Sequence, residues 1–170
     1  YQAMQRALGL TRAVIVQPTG YGWDNRCTLA ALAGLGENGR AIVVADAAVS
    51  DDVLQQWHAA GVRGVRFMML AGGVLPWDQL EPVAARIQAL GWHINLQIDG
   101  ADVPALEDRL SKLPVELVID HNGKFLTPPA VDDPAFLSLL LLGLFLGCTK
   151  LTPSYRFRNR WHYCRAGCKC

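Results

Sequence analysis

Polar side chains of several chemical types follow the apolar runs that we predict to be β-strands. An arginine can bind a carboxylate through two parallel hydrogen bonds, and a histidine can polarise a carbonyl or transfer a proton. A strand end that needed only solvation would not require this combination of residue types. The set therefore predicts a site for an anionic ligand, built from Thr19, Asp46, Arg66, Gln97, Asp120 and His121.

Each of these residues also has a structural interpretation. Arg66 lies within the apolar run Val65-Arg-Phe-Met-Met69, where a charge needs a partner. It either binds an anion or pairs with a structural carboxylate such as Asp46. His121 is either a functional residue or a loop histidine whose tautomer Asp120 fixes. His58, on a predicted helix face, is expected to be solvated.

Motifs for phosphate or metal binding are absent from the sequence. It contains neither the Gly-Lys-Ser/Thr of a P-loop nor a Gly-x-Gly-x-x-Gly fingerprint. The C-terminal His162-x-Cys164-x₃-Cys168-x-Cys170 is too crowded for an ordinary zinc site, whose cysteines occur as spaced pairs. We predict no metal and no cofactor. A metal-binding interaction protein organised around this tail is the minor alternative.

Strand and helix patterns alternate along most of the chain. Runs of β-branched and apolar residues predict the strands, and caps such as Ser50 with a closing Gly61 predict helix ends. Strands separated each time by a helix pair in parallel through right-handed crossovers. This leaves either a doubly wound sheet or a (β/α)₈ barrel that lacks strands. The predicted strands are 12–17, 40–46, 65–69, 93–98 and 115–120, with a sixth near 148–151, and the helices are 24–34, 50–61, 77–90, 103–113 and 134–146.

The charge is nearly balanced over the whole chain but not along it. With 16 basic and 15 acidic residues among 170, no strong field favours nucleic acid or a membrane surface as partner. Residues 134–170 hold six of the basic residues and none of the acidic ones. The longest apolar run, 136–146, is too short to cross a bilayer, for which about 20 residues are needed.

Two further features bear on compartment and completeness. The five cysteines form no regular disulfide framework, and no secretory signal is visible, so we predict a cytoplasmic protein. The chain starts at Tyr1 and enters an amphipathic pattern at once, which leads us to expect that it begins inside a larger gene product.

Four motifs occur in an order that resembles a known family. They are Val16-Gln-Pro-Thr-Gly-Tyr-Gly-Trp-Asp-Asn25, Gly61-Val-Arg-Gly-Val-Arg-Phe67, Gly91-Trp-His-Ile-Asn-Leu-Gln97 and Val118-Ile-Asp-His-Asn-Gly123. Together they are similar to the amidohydrolase-related TIM-barrel hydrolases, in the branch of the 2-pyrone-4,6-dicarboxylate lactonases. The resemblance covers residues 1–125 and continues more loosely through Lys150-Leu-Thr-Pro-Ser-Tyr-Arg156.

The resemblance implies an α/β fold, a (β/α)₈ TIM barrel of which residues 1–156 supply about the second to the seventh strand. Residues 157–170 are an unmatched basic tail. The implied activity is hydrolysis of a lactone or ester of a small carboxylic acid, without an obligatory metal. The family's first-strand His-x-His and eighth-strand Asp are absent, so we expect this chain to be inactive by itself. Its open barrel edges would favour self-association.

Roles follow for individual residues where the motifs match. His121 corresponds to the histidine that polarises the scissile carbonyl, and Arg66 to an arginine that binds a substrate carboxylate. Thr19, Gln97 and Arg156 are further expected substrate contacts. Gln97 stands in the place of a tyrosine and Gly72 in that of a second arginine, which argues against a dicarboxylated pyrone as substrate. The alternative is a non-catalytic αβ anion-binding or regulatory domain.

Overall fold

A computed structural model describes residues 1–145, in which helices and parallel strands alternate. Each predicted element up to residue 145 is present, and a short helix precedes the first strand. The predicted sixth strand, Arg156 and the boundary at residue 156 lie outside the described residues. The elements are α1 Gln2–Ala7, β1 Ala13–Val16, α2 Arg26–Leu35, β2 Gly39–Val43, α3 Asp51–Ala60, β3 Val62–Met68, α4 Leu80–Ile87, β4 His93–Gln97, α5 Val103–Ser111, β5 Leu117–Ile119 and α6 Pro134–Phe145.

The five described strands form one parallel sheet whose spatial order is the order of the chain, β1-β2-β3-β4-β5. A doubly wound sheet reverses its strand order at a switch point, and no such reversal occurs among these strands. Sequential order in a curved parallel sheet is instead the arrangement of a barrel wall. The first of the two architectures left open by the sequence is therefore wrong for the described part of the chain.

The register gives the sheet two different faces. Val43 pairs with Val65, and Val65 pairs with Ile94, so these side chains share the face that the helices cover. Val43, Val65 and Ile94 are completely buried there. Residues from the covering helices complete the main hydrophobic core: Leu32, Leu54, Leu80, Val83, Ile87, Leu110 and Leu139.

The opposite, concave face carries polar side chains toward the carboxyl ends of its strands. Arg66 pairs in register with Asn95, and Asn95 pairs with Val118, so all three side chains lie on this face. Nearer β1 the same face is apolar, with Val16 opposite Ile42. The strand alternation thus separates a core that holds the fold together from a surface on which polar groups gather.

Capping residues set the ends of α3 as the sequence predicts, whereas the residue that precedes α2 has a different role. Ser50 Oγ accepts a hydrogen bond from the Val53 amide at 3.3 Å, and Gly61 ends α3 with φ of 107°. Asn25, at the N-terminal cap position of α2, makes no side-chain capping bond for that helix. Its buried amide instead bonds the backbone N–H and C=O of Val44, at 2.9 and 2.7 Å. Asn25 thereby fixes the segment after β2 against the start of α2.

Candidate active site

Arg66 is the centre of the polar cluster on the concave face. Its Nη1 donates to the backbone oxygen of Gln17 at 2.6 Å, so the guanidinium reaches across the sheet to the end of β1. Its Nη2 donates to Gln97 Oε1 at 2.7 Å and to Asp120 Oδ2 at 3.2 Å. Three strand ends, those of β1, β4 and β5, are therefore joined through a single side chain on β3.

Asp120 is the carboxylate that pairs with Arg66, in a setting where both side chains are largely buried, at 13% and 12% exposure. Of the two alternatives that the sequence left open for Arg66, pairing with a structural carboxylate is the one observed, but the carboxylate is Asp120 and not Asp46, the example suggested from the sequence. Asp46 Oδ1 accepts from the Ala48 amide at 3.0 Å, a local turn bond, because the loop after β2 folds back on itself. Asp120, two positions beyond Val118, projects onto the concave face beside Arg66.

The expectation that Asp120 fixes the tautomer of His121 is also not supported. Asp120 Oδ1 accepts from Asn95 Nδ2 at 3.0 Å, and Oδ2 accepts from Arg66, so neighbouring strands hold both carboxylate oxygens. Asn95 was not among the predicted site residues. It stands two positions before Gln97 in the same strand, and this spacing of two amides in an apolar strand was the signal available in the sequence.

His121 lies immediately after β5 in a turn of unusual backbone conformation. Its φ is 55°, and the next residue, Asn122, has φ of 54°, in the left-handed region that side chains disfavour. Each such residue costs of order 1–3 kcal/mol, a strain that persists where the surrounding structure imposes it. The turn leaves His121 exposed at the carboxyl end of the sheet. This is the end at which a bound molecule would meet it.

Thr19 lies across the sheet from His121, on a small cleft that Arg66 also lines. The cleft is narrow, with a cavity volume of about 20 Å³. The Thr19 hydroxyl contacts the Met68 sulfur. Gly72 has φ of 93°, and a Cβ there would lie 3.4 Å from Thr19 Cγ2. The positive φ of Gly72 means that a larger residue at this position would be strained.

Among the predicted site residues, Arg66 and Gln97 are in direct contact, and Thr19 shares a cleft with Arg66. His121 is joined to them through its neighbour Asp120. Within residues 1–145, no three His, Cys, Asp or Glu side chains come together as a metal site. The described cluster can donate hydrogen bonds to a carbonyl or a carboxylate, and it offers an exposed imidazole for proton transfer.

The chain matches known proteins that are about twice as long as the matched region. A family model described as amidohydrolase matches residues 1–142. The chain is 39% identical over 140 residues to the 2-pyrone-4,6-dicarboxylate hydrolase of Comamonas testosteroni, covering 81% of this chain and 46% of that protein. It is 34% identical over 142 residues to the D-galactarolactone isomerase of Agrobacterium fabrum, covering 84% and 49%.

A solved structure agrees with these matches. The apo crystal structure of an Agrobacterium tumefaciens protein superposes with a TM-score of 0.78 at 34% identity, over 84% of this chain and 50% of that one. The chain spans about half the length of the curated relatives it matches. The predicted fold class, an incomplete (β/α)₈ barrel, is confirmed in the curved, sequentially ordered sheet. The chain belongs to the amidohydrolase family.

Proposed function

We propose that this chain supplies the substrate-binding part of a hydrolase active site that acts on a lactone or ester of a small carboxylic acid. The convergence of side chains from neighbouring strand ends on Arg66 is the observation that carries the proposal. Relatives are named as hydrolases of 2-pyrone-4,6-dicarboxylate and of 4-sulfomuconolactone, and one as a lactone isomerase. Lactone chemistry is the feature common to these names.

In this proposal Arg66 and Thr19 orient the substrate over the opening of the cleft that they both line. Arg66 donates to a carboxylate or carbonyl oxygen, and the Thr19 hydroxyl donates to a second oxygen. Gln97 holds the guanidinium in place through its 2.7 Å hydrogen bond. Arg156, outside the described residues, is proposed as a further contact. Orientation of this kind lowers the barrier because the reacting groups no longer lose motional freedom in the transition state.

His121 is proposed to polarise the scissile carbonyl. As water attacks, negative charge develops on the carbonyl oxygen, and an imidazole N–H directed at that oxygen stabilises it. The exposed position of His121 and its left-handed backbone support this role. The water must be activated by a base, which in the family resemblance is the eighth-strand Asp that this sequence lacks. We therefore expect substrate binding without turnover by the 170-residue chain.

Binding and turnover measurements on this chain test the proposal. Calorimetry with 2-pyrone-6-carboxylate should show binding that Thr19→Val and His121→Ala each weaken. The control Lys112→Ala, at the exposed residue that follows α5, should leave binding unchanged. Binding that neither cleft variant alters would contradict the proposal. Hydrolysis of lactones by the purified chain, lost in His121→Ala, would show that the expected inactivity is wrong.

The proposal also concerns partners and location. We propose a small carboxylate as the binding partner rather than nucleic acid, because basic and acidic residues are nearly equal in number. None of the helices in residues 1–145 is long and apolar enough to cross a membrane. A cytoplasmic location is proposed from the irregular cysteine spacing, and cell fractionation tests it.

Self-association is proposed because β1 and β5 are open edges of the described sheet. Val16 on the concave face is 36% exposed, which adds apolar surface beside the β1 edge. Sedimentation should show a concentration-dependent increase in mass. A strictly monomeric chain that melts in one cooperative transition would contradict this part of the proposal.

A further inference from the structure

The hydrogen bonds of Arg66 leave few donors for a ligand. A guanidinium has five N–H groups. Gln17 O takes one from Nη1, while Gln97 Oε1 and Asp120 Oδ2 take the two from Nη2. The Nε atom is buried and has no hydrogen-bond partner among the described residues. Apart from the buried Nε–H, only the second N–H of Nη1 is left to bind a ligand.

A carboxylate is held most strongly by two parallel N–H groups on one side of the guanidinium fork. The two pairs of parallel N–H groups on Arg66 are Nη1 with Nη2 and Nε with one Nη atom. The first pair is blocked because Nη2 already donates to Asp120 and Gln97, and the second is blocked because Nε is buried. Asp120 contributes the longest of the three bonds, 3.2 Å, but brings a full negative charge. That charge repels any ligand carboxylate that approaches the same nitrogen.

Asn95 keeps Asp120 in this position. It is 4% exposed, and its Nδ2 donates to Asp120 Oδ1 at 3.0 Å, which leaves Oδ2 directed at Arg66. Asn95 Oδ1 has no partner in the described structure, so the Asp120 contact is the one that sets the orientation of this amide. Asn95 on β4 and Arg66 on β3 therefore each hold one oxygen of the Asp120 carboxylate.

We propose that Asp120 is a specificity-determining residue that occupies the carboxylate-binding side of Arg66, so that the site takes lactones that are neutral or carry one carboxylate held by a single N–H. This inference deepens the proposed function and rests on it. Arg66 is also the one charged residue lining the cleft, within the part of the chain that the structure describes. With Asp120 paired to it, this half of the site has no net charge to offer a dicarboxylate.

The test compares Asp120→Asn with the wild-type chain and with Asp108→Asn, which removes the same charge from the exposed side of α5. Calorimetry uses three probes: 5-valerolactone, 2-pyrone-6-carboxylate and 2-pyrone-4,6-dicarboxylate. Asp120→Asn should bind the monocarboxylate about tenfold more tightly, equivalent to about 1.4 kcal/mol, and the dicarboxylate by a larger factor. The affinity for 5-valerolactone should not change, and Asp108→Asn should behave as wild type.

Asn95→Leu provides a second variant, because it removes the donor that holds Asp120 without touching Arg66 or the carboxylate. It should shift carboxylate affinity in the same direction by a smaller factor, about threefold. A residue that only supported the structure would give weaker binding of all three probes when replaced. That outcome, or unchanged carboxylate affinity in both variants, overturns the inference.

Failure of the proposed function gives a different pattern. If wild type and Asp120→Asn both bind none of the three probes, or bind them equally well after Thr19→Val and His121→Ala, the cleft is not a lactone site. If wild type binds in the cleft and the Asp120 variant shows no gain for carboxylates, the proposed function stands and the specificity role of Asp120 is wrong.

Discussion

Buried polar groups are satisfied differently at the two ends of the sheet. At the amino end of the strands, the indole N–H of Trp92 donates to His58 Nδ1 at 3.0 Å, and Arg63 donates to the His58 backbone oxygen at 2.8 Å. Toward the carboxyl end lie all three buried side-chain atoms that lack a hydrogen-bond partner in residues 1–145: Arg66 Nε, Asn95 Oδ1 and Asn122 Oδ1.

The difference separates a structural end of the sheet from one suited to binding. An unpaired buried polar atom costs about 1–3 kcal/mol, so a folded chain keeps few of them. Those in this chain adjoin the turn in which His121 and Asn122 have left-handed backbones. Within residues 1–145, the unpaired buried atoms therefore lie toward the end of the sheet where barrels of this class place their chemistry.

The largest expected effect is the difference in unfolding free energy between alanine substitutions on the two faces of the sheet. Phe67 on β3 is fully buried against the helices, whereas Val16 on the concave face is 36% exposed. Phe67→Ala should lower the free energy of unfolding by about 3–5 kcal/mol, because it leaves a cavity in the core. Val16→Ala should cost less than about 1 kcal/mol. Urea unfolding of both variants measures the contrast, and equal losses would contradict it.

A smaller effect of opposite sign is expected at His121. Glycine tolerates a φ of 55°, so His121→Gly should raise the free energy of unfolding by about 0.5–1 kcal/mol while removing the imidazole from the site. His121→Ala is the matched control, since it removes the imidazole but keeps the Cβ that makes this backbone unfavourable. A gain in stability for the alanine variant as large as that for glycine would contradict the strain.

At the amino end, His58 should make stability depend on pH. Burial first, and the charge of Arg63 second, lower the pKa of His58 below its ordinary value. The unfolded chain therefore takes up the proton at higher pH than the folded chain. As the pH falls through about 6.5, His58 becomes protonated in the unfolded chain but not yet in the folded chain. The free energy of unfolding therefore decreases until the pH reaches the lower pKa of His58 in the folded chain.

Melting temperatures measured from pH 8 to 5, with Trp fluorescence as the signal, would detect this loss. The control is His58→Gln, which has no titrating group but keeps an acceptor that can face Trp92. Its profile should be flatter than that of wild type in this range. An unchanged profile would assign the pH dependence to other groups. His58, expected to be solvated, is half-buried, and its Nδ1 accepts a hydrogen bond from the Trp92 indole.

The smallest effect is expected for a surface ion pair. Hydrogen bonds from Arg26 lower the pKa of Asp24 to about 2, yet both side chains are substantially exposed. Asp24→Asn should leave the melting temperature unchanged within error, since exposed pairs contribute little. A carboxyl-carbon NMR titration of the wild-type chain should still show the low midpoint. A large loss of stability in the variant would contradict this assignment.

The sequence by itself determined the order and type of the elements. Ser50 before α3 and Gly61 after it act through local backbone geometry, and β-branched runs alternate with helices at a spacing that requires parallel pairing. The motifs around Arg66 and His121 also pointed to the correct family. Signals of this kind depend on neighbours along the chain, which is why they could be recognised without coordinates.

Only the tertiary structure decided which polar groups pair with one another. Asp46 and Asp120 are both carboxylates after a strand, and composition does not distinguish them as partners of Arg66. The choice depends on the direction in which each loop leaves the sheet and on the register that sets Asn95 beside Arg66. Asn95 itself escaped prediction because its role arises from a contact 25 residues away, with Asp120.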